Sequence, residues 1–449
     1  MAAPFLACNE RGSAIDPVVA SECTTIVALA SGRPPAAIAL LRISGPAAFQ
    51  AVRNLSGVLP PPRFLRLRAL IHPANGALLD RCLTAIYPAP ASATGEDVVE
   101  LNLHGGTAVV EAVLSCLLLQ PGVRLAQPGE FTRRAFDNGK LDLTQAEALA
   151  DLIDASTEAQ RAQAMLGAEG ALSRLASDWG RRLIDILAAM EADLDFSDQD
   201  ETANVALSQT PMLDEIYAEM TSELARASFS ERIRDGLTIV LVGPPNVGKS
   251  SLLNALARRQ VSIVAPTPGT TRDLVEVALN LAGVAVTLVD TAGLRESLDP
   301  IELEGIRRAR ARADTADLIL HLNDAATHDT IGQHVRTKID LTGHAPGIYD
   351  GSIFVSSVTG AGLADMENWL VEWAHTSVSR GEPGLIVNMR QRQAIEKAAA
   401  EVDTAVKEFD GVLRAEALRS AIGELTQLHG GRVTDDVLDR IFAKFCIGK

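Results

Sequence analysis

The spacing of hydrophobic positions changes along the chain, and each change predicts a different kind of structure. Residues 25–140 carry short apolar runs broken by Gly and Pro, among them Thr25-Ile26-Val27-Ala28-Leu29, Ile38-Ala39-Leu40-Leu41-Arg42-Ile43 and Val98-Val99-Glu100-Leu101-Asn102-Leu103. Such runs predict the strands of a small α/β domain. From Thr144 the pattern becomes long, Ala-rich and helical, opening on Thr144-Gln145-Ala146-Glu147 in capping-box form. It continues to about Asp195, where Asp193, Asp195, Asp198, Asp200 and Glu201 predict an acidic loop or helix end. Apolar β-branched runs return between residues 236 and 380. Residues 389–409 and 434–445 read as helical again, and Val437, Leu438, Ile441, Phe442 and Phe445 make an apolar stripe expected in a core. The expected order is an extension (1–24) without fixed structure, an α/β domain (25–140), a helical part (141–235), a second α/β domain (236–380) and a second helical part (381–449). A helical domain interrupted by an inserted domain would explain both helical parts.

The inserted domain carries the clearest chemistry. Gly243-Pro244-Pro245-Asn246-Val247-Gly248-Lys249-Ser250 fits the phosphate-binding loop pattern G-x-x-x-x-G-K-[ST]. It lies between the strand-like Leu237-Thr238-Ile239-Val240-Leu241-Val242 and the helix-like Ser251-Leu252-Leu253-Asn254-Ala255-Leu256. Glycines let backbone N–H groups close around phosphate oxygens, helped by the positive end of the helix dipole. Lys249 is expected on the β/γ-phosphates and the Ser250 hydroxyl on Mg²⁺. A nucleoside triphosphate ligand follows.

Further loops select the base. Gly269-Thr270-Thr271-Arg272-Asp273 (just after Ala265-Pro266-Thr267-Pro268), Asp290-Thr291-Ala292-Gly293, Thr337-Lys338-Ile339-Asp340 and Ser356-Ser357-Val358 follow in the order and spacing of GTP-binding proteins. Thr271 would close over the γ-phosphate and give Mg²⁺ a second hydroxyl, while Asp290, ending an apolar run, would hold Mg²⁺ through water. Asp340 would accept from guanine N1–H and N2–H₂, and the Ser357 N–H would reach O6. The usual base-reading motif is N-K-x-D, and Thr337 stands in place of its Asn, which normally braces the phosphate loop. A lower nucleotide affinity is expected from that change. No Gln follows D-T-A-G to orient the attacking water, since Leu294-Arg295 stand there. Glu302 has two readings from the residues alone, a distant catalytic base or a solvated carboxylate on a helix face. The side-chain oxygen of Asn246 could ligate a monovalent cation beside the phosphates, supplying the positive charge otherwise given by an arginine.

Composition narrows the rest. A chain of 449 residues, 47% hydrophobic and 22% charged, suits two or three globular domains. With 4% aromatic residues and a net charge of -16, neither a base-stacking platform nor a general nucleic-acid binder is expected. A nucleic-acid substrate would need a local basic patch or a partner's help. Five scattered cysteines without a C-x-x-C pair suit a reducing, cytoplasmic setting. No signal or transit pattern and no apolar run of membrane-spanning length is expected.

Several stretches outside the nucleotide loops are more specific. They are Leu41-Arg42-Ile43-Ser44-Gly45, Thr94-Gly95-Glu96-Asp97-Val98-Val99-Glu100-Leu101, His104-Gly105-Gly106, Pro128-Gly129-Glu130-Phe131-Thr132-Arg133-Arg134-Ala135-Phe136, Asn138-Gly139-Lys140-Leu141-Asp142-Leu143 and the terminal Cys446-Ile447-Gly448-Lys449. On these the chain resembles the tRNA-modification GTPase family called MnmE or TrmE, over about residues 25–449. The resemblance implies a folate-binding, dimerising N-terminal α/β domain, a helical domain and an inserted Ras-like P-loop GTPase domain. It implies 5-formyltetrahydrofolate or a related tetrahydrofolate at Arg42, Glu100, Lys140 and Lys449. It also implies K⁺ at Asn246, Ala265, Thr267 and Thr270, and a catalytic Glu302. Cys446 matches a family cysteine considered for a chemical role, against which stands an inert small hydrophobe. Arg42 and Glu100 read without the family as an ion pair between strands. The implied activity is modification of wobble uridine 34 of certain tRNAs at C5, carboxymethylaminomethyl type. It is driven by GTP hydrolysis, in a homodimer that joins an FAD-containing partner subunit into a heterotetramer. Where the family has a P-G-R-G-G-V-G type stretch, residues 31–39 read S-G-R-P-P-A-A-I-A, so less close backbone approach to a folate is expected. A regulatory GTPase switch of the ribosome-assembly type is the alternative.

Overall fold

The computed structural model describes residues 24–195, 210–259, 275–290, 316–322, 332–378, 382–431, 434–443, 445 and 448. The expectations for residues 1–23, for the loop 265–271, for 291–293, for Glu302, and for Cys446 and Lys449 lie outside the described residues. Two compact units are formed. One runs to Ala146 and takes in the segment after residue 431, and the other is Glu147–Gly431.

The first unit is built on a six-stranded sheet in the order β3-β4-β5-β2-β1-β6. Its strands are β1 (Thr25–Leu29), β2 (Ile38–Ser44), β3 (Arg66–Ile71), β4 (Leu78–Tyr87), β5 (Val98–His104) and β6 (Val123–Leu125). All neighbours are antiparallel except β1 and β6. Period-two alternation sorts the side chains. Val27, Leu41, Ile43, Val99, Leu101 and Leu103 form a core with Val52 and Val113 of the helices Ala48–Ser56 and Thr107–Leu118. Positions of the opposite parity turn to the other face, where Phe131 of the helix Glu130–Asp137 packs with Ile26 and Ala28. On that face Ile38 and Leu67 are each 60% exposed and Leu83 is 45% exposed. The closing helix Asp435–Phe442 lies on Glu130–Asp137, with Arg133 bonded to Asp435 at 2.9 Å and Asp439 at 3.0 Å. The stripe residues Leu438, Phe442 and Phe445 are buried here, so this last helix packs with the N-terminal unit rather than with the helices around residue 400.

The second unit holds two cores. Helices Ala171–Asp195, Thr210–Asp235, Met389–Lys407 and Gly411–Leu428 enclose Trp179, Leu183, Met220, Ile395, Val402 and Leu418. The other core surrounds a seven-stranded sheet ordered β12-β13-β11-β10-β7-β9-β8. These strands are β7 (Leu237–Val242), β8 (Val275–Leu281), β9 (Val284–Asp290), β10 (Leu318–Leu322), β11 (Gln333–Arg336), β12 (Gly347–Tyr349) and β13 (Ser352–Phe354). The five central strands are parallel and the two edges, β12 and β8, antiparallel. Strands β7 and β9 are buried on both faces, which is why their sequences read as continuous apolar runs. The fold is therefore mixed α/β with a helical part and a P-loop domain. Among the described residues no helix is long and apolar enough to cross a membrane.

The helix Leu143–Asp154 opens differently from its capping-box reading. Asp142 Oδ1 accepts from the Gln145 N–H at 3.0 Å, and Gln145 Oε1 accepts from the Asp142 N–H at 3.0 Å. The reciprocal cap therefore sits two residues earlier, because the helix begins at Leu143, which puts Asp142 at its N-cap and Thr144 inside the first turn. Glu147 is thereby freed to receive Arg390 at 2.7 and 2.8 Å, Asn388 at 3.1 Å and Gln391 at 2.9 Å.

Candidate nucleotide and N-terminal sites

The phosphate loop leaves β7 and enters the helix Lys249–Arg259 without a spacer. Asn246 and Gly248 take left-handed backbone, φ 61° and 107°. Gly243 lies so close to β10 that a Cβ there would stand 2.3 Å from the Leu322 carbonyl oxygen, so only glycine fits. Lys249 is buried and donates to the carbonyls of Gly243 at 2.7 Å and Pro244 at 3.1 Å. Those carbonyls hold the ammonium over the concave side of the loop. Ser250 Oγ donates to Asp290 Oδ2 at 2.6 Å, bringing a hydroxyl and a buried carboxylate from two elements together. Hard oxygen donors so placed fit Mg²⁺.

The base-reading loop is tied to the phosphate loop by two side chains. The buried Thr337 donates its hydroxyl to the Val247 carbonyl, and Lys338 Nζ donates to the Asn246 carbonyl at 2.5 Å. Thr337 thus braces the loop as the missing Asn would. A hydroxyl at a strand end here bonds the Val247 carbonyl of the phosphate loop. The Lys338 brace had no signal in the sequence beyond its place in the motif. Lys338 itself is left-handed, φ 57°, which turns the chain into the short helix Ile339–Thr342. Asp340 accepts from Ser356 Oγ at 2.5 Å. Ser356 is buried in a turn closed by its own N–H on the Ala361 carbonyl and the Gly360 N–H on its carbonyl, both at 2.9 Å. Ser357 follows at that turn and Val358 is 86% exposed. Asn246, Val247, Gly248, Lys249, Ser250 and Ser251, Asp290, the 337–340 motif and 356–358 therefore line one end of the sheet, beyond the carboxyl ends of parallel strands where such folds bind ligands.

In the N-terminal unit Arg42 and Glu100 stand directly opposite on β2 and β5. Arg42 Nε and Nη2 donate to Glu100 Oε1 at 3.1 and 2.9 Å, and the guanidinium lies 6.0 Å from the Phe131 ring centre. The ion-pair reading of these two residues describes the geometry. Burial first, and then the Glu100 charge, push the Tyr87 phenol above its ordinary value. Beside this pair the specific stretches converge. Asn138 donates to the Thr94 carbonyl at 2.8 Å, and the exposed Lys140 stem runs beside Gly95. Arg134, almost wholly buried, donates to both oxygens of Glu96 at 3.0 Å and to Glu130 at 2.9 Å. Glu130 also takes Arg124 at 2.5 and 2.8 Å, and Glu96 takes the Ser44 hydroxyl at 2.6 Å. Burial alone would raise the Glu130 carboxyl, but Arg124, the Gln127 N–H and Arg134 outweigh it and hold the group below its ordinary value. This network of Ser44, Glu96, Arg124, Glu130 and Arg134 was not foreseen as a unit, because its members are far apart in sequence. The chain end returns to β1, where Gly448 lies against the Leu29 carbonyl.

Comparison with known proteins follows this division. The family models described as GTP-binding protein TrmE N-terminus and MnmE helical domain match residues 25–140 and 143–446. A tRNA modification GTPase MnmE of Azorhizobium caulinodans is 50% identical over 439 residues, covering 95% of this chain and 99% of that protein. Proteins of the same description from Methylobacterium sp. (strain 4-46) and Rhodopseudomonas palustris (strain BisB18) are 47% and 44% identical, each over 95% of this chain and 99% of their own. Among solved structures, the G domain of the T. maritima FeoB iron transporter covers 31% of this chain and 98% of its own at 27% identity. Its TM-score is 0.23, too low to add to the family match.

Proposed function

Because the chain belongs to the MnmE family of tRNA modification GTPases, we propose that its GTP hydrolysis serves C5 modification, carboxymethylaminomethyl type, of wobble uridine 34 in certain tRNAs. The chain is a GTP hydrolase of tRNA modification, and the finer reading rests on one observation. A braced phosphate loop and a folate-type motif cluster occur in one polypeptide, the first around Lys249 and the second around Arg42, Glu100 and Lys140.

Lys249 places its ammonium on the β/γ-phosphates, and Ser250, Thr271 and Asp290 hold Mg²⁺. Asp340 and the Ser357 N–H read guanine. Asn246, Ala265, Thr267 and Thr270 would hold K⁺, which would supply positive charge to the developing negative charge of the phosphates. Glu302 orients the water that attacks the γ-phosphorus. Hydrolysis drives opening and closing of paired G domains rather than the carbon chemistry itself. In the N-terminal unit, Glu100 accepts from the donor edge of a pterin, while Lys140 and Lys449 meet its glutamate tail. Cys446, which matches a family cysteine, is the candidate for a chemical role beside the folate. The exposed apolar residues Leu67 and Leu83, paired across β3 and β4, and Ile38 on the same sheet face support a homodimer through this unit, since exposed apolar surface marks association. An FAD-containing subunit completes the machinery.

The test combines this chain, an FAD-containing partner subunit, GTP in potassium, unmodified tRNA and a tetrahydrofolate labelled in its one-carbon unit. Label in C5-modified uridine 34, lost with Arg42→Ala, is expected. GTP turnover without transfer of label into uridine would leave the regulatory switch as the better account.

A further inference from the structure

The net charge of -16 hides a region of opposite sign. The 57 residues between Glu22 and Asp80 contain no Asp or Glu and six arginines, Arg33, Arg42, Arg53, Arg63, Arg66 and Arg68. Three of them lie on two elements that pack against each other. Arg66 and Arg68 share the β3 parity of the core residue Leu70, which places them on the helix-covered side of the sheet and away from the apolar face of Leu67. The helix Ala48–Ser56 packs beside β3, and Arg68 Nε donates at 2.8 Å to the carbonyl of Val58, just past that helix. Arg53 is exposed in the last turn of the same helix. Asn54 bonds toward Gln120 on one flank, and one residue is a 100° turn, so Arg53 lies round the helix from that contact. Arg63 stands at the approach to β3, held by a 2.7 Å bond to the Ala91 carbonyl.

Among the described residues none of Arg53, Arg63, Arg66 and Arg68 makes an ion pair with a carboxylate. The first carboxylate after this segment, Asp80, is filled by the His104 ring at 2.7 Å and by the N–H groups of His104 and Arg81 at 2.9 and 2.7 Å. Other arginines, such as Arg134 and Arg390, are neutralised by Glu96 and Glu147. β3 is an edge strand, and charges on an edge also prevent edge-to-edge pairing. Mixed charges or lysines would serve that purpose equally. Four unneutralised guanidiniums in a chain this acidic suit a polyanion instead, because the fork of N–H groups matches phosphate oxygens.

We propose that the edge of the N-terminal sheet formed by Arg53, Arg63, Arg66 and Arg68 is a contact surface for the phosphate backbone of the tRNA substrate. This rests on the tRNA reading above. The surface positions the RNA without reading its bases, since phosphate contacts carry no sequence information. It supplies the local basic patch that the overall charge requires of any RNA partner.

The test uses the full chain, an unmodified tRNA transcript and fluorescence anisotropy over a range of potassium chloride. A variant with Arg53→Gln, Arg66→Gln and Arg68→Gln is expected to bind about tenfold more weakly near 0.1 M salt, with the log–log salt slope reduced by about 2–3. GTP turnover should stay at the wild-type rate, showing an intact fold. A variant with Lys at the same three positions should keep the wild-type slope, because charge rather than edge geometry carries the contact. Wild-type affinity and slope in the Gln variant would overturn the surface while leaving the tRNA reading intact. Equal weakening in the Gln and Lys variants would also overturn it, assigning the arginines to packing. Failure of the wild-type protein to bind tRNA at any salt would overturn both.

Discussion

At the scale of single residues, two side chains decide how the nucleotide loop is held. Thr337 replaces the amide of the usual motif with a hydroxyl, yet still bonds the Val247 carbonyl from a buried position. Thr337→Ala leaves that carbonyl without its donor, at a cost of about 1–2 kcal/mol. GTP affinity should therefore fall about tenfold by nucleotide titration, while Thr337→Asn, which restores a donor, should bind nearly as the wild type. Unchanged affinity in the Ala variant would contradict the brace. Glu130 makes a different prediction, through pH. Its carboxyl is held below the ordinary value in the folded unit, so its contribution is complete above the unfolded value of about 4.3. The contribution is lost as pH falls through the lower folded value. Glu130→Gln should cost about 2 kcal/mol at neutral pH, and the gap to wild type in denaturant unfolding should close toward pH 3. A gap independent of pH would mean that the charge of Glu130 plays no part. The motif around Thr337 was legible from order and spacing, and the stretch around Glu130 from its likeness to the family. The Lys338 brace and the Glu96–Arg134–Glu130 network were not, because contacts across long sequence separations leave no periodicity.

At the scale of elements, legibility followed the evenness of the hydrophobic pattern. β1, β2, β5, β7 and β9 were readable because each is an unbroken apolar or alternating run. The helix Gly411–Leu428 escaped the sequence reading. Its buried residues Ala415, Ala417, Leu418, Ala421, Leu425 and Leu428 face helices on two sides, so no single stripe stands out. The closing helix was found, but its neighbour was not, since a stripe says that a face is buried and not against what. Its docking depends on Gly129, φ 69°, whose Cβ would stand 2.2 Å from the Phe442 carbonyl oxygen. Gly129→Ala should release Asp435–Phe442 from Glu130–Asp137 and expose the C-terminal segment to limited proteolysis, with GTP turnover retained. Wild-type resistance to protease would show that the backbone gives way without undocking.

At the scale of the whole molecule, one chain carries a GTPase nucleotide site in one unit and, in the other, the motif cluster to which the proposed function assigns a folate. The acidic balance excludes general nucleic-acid binding, while an acid-free segment leaves one edge of the N-terminal sheet basic. The proposed function has two copies of the chain pair, with their nucleotide domains meeting across the bound nucleotide. The central claim is that such pairing builds a cation-assisted hydrolytic site from residues of the inserted domain. It is tested most directly by GTP turnover of the purified chain in potassium against sodium, with Glu302→Ala alongside. Strong stimulation by potassium, abolished in the variant, is the predicted result. Equal, slow turnover in both salts, unchanged by Glu302→Ala, would contradict the account.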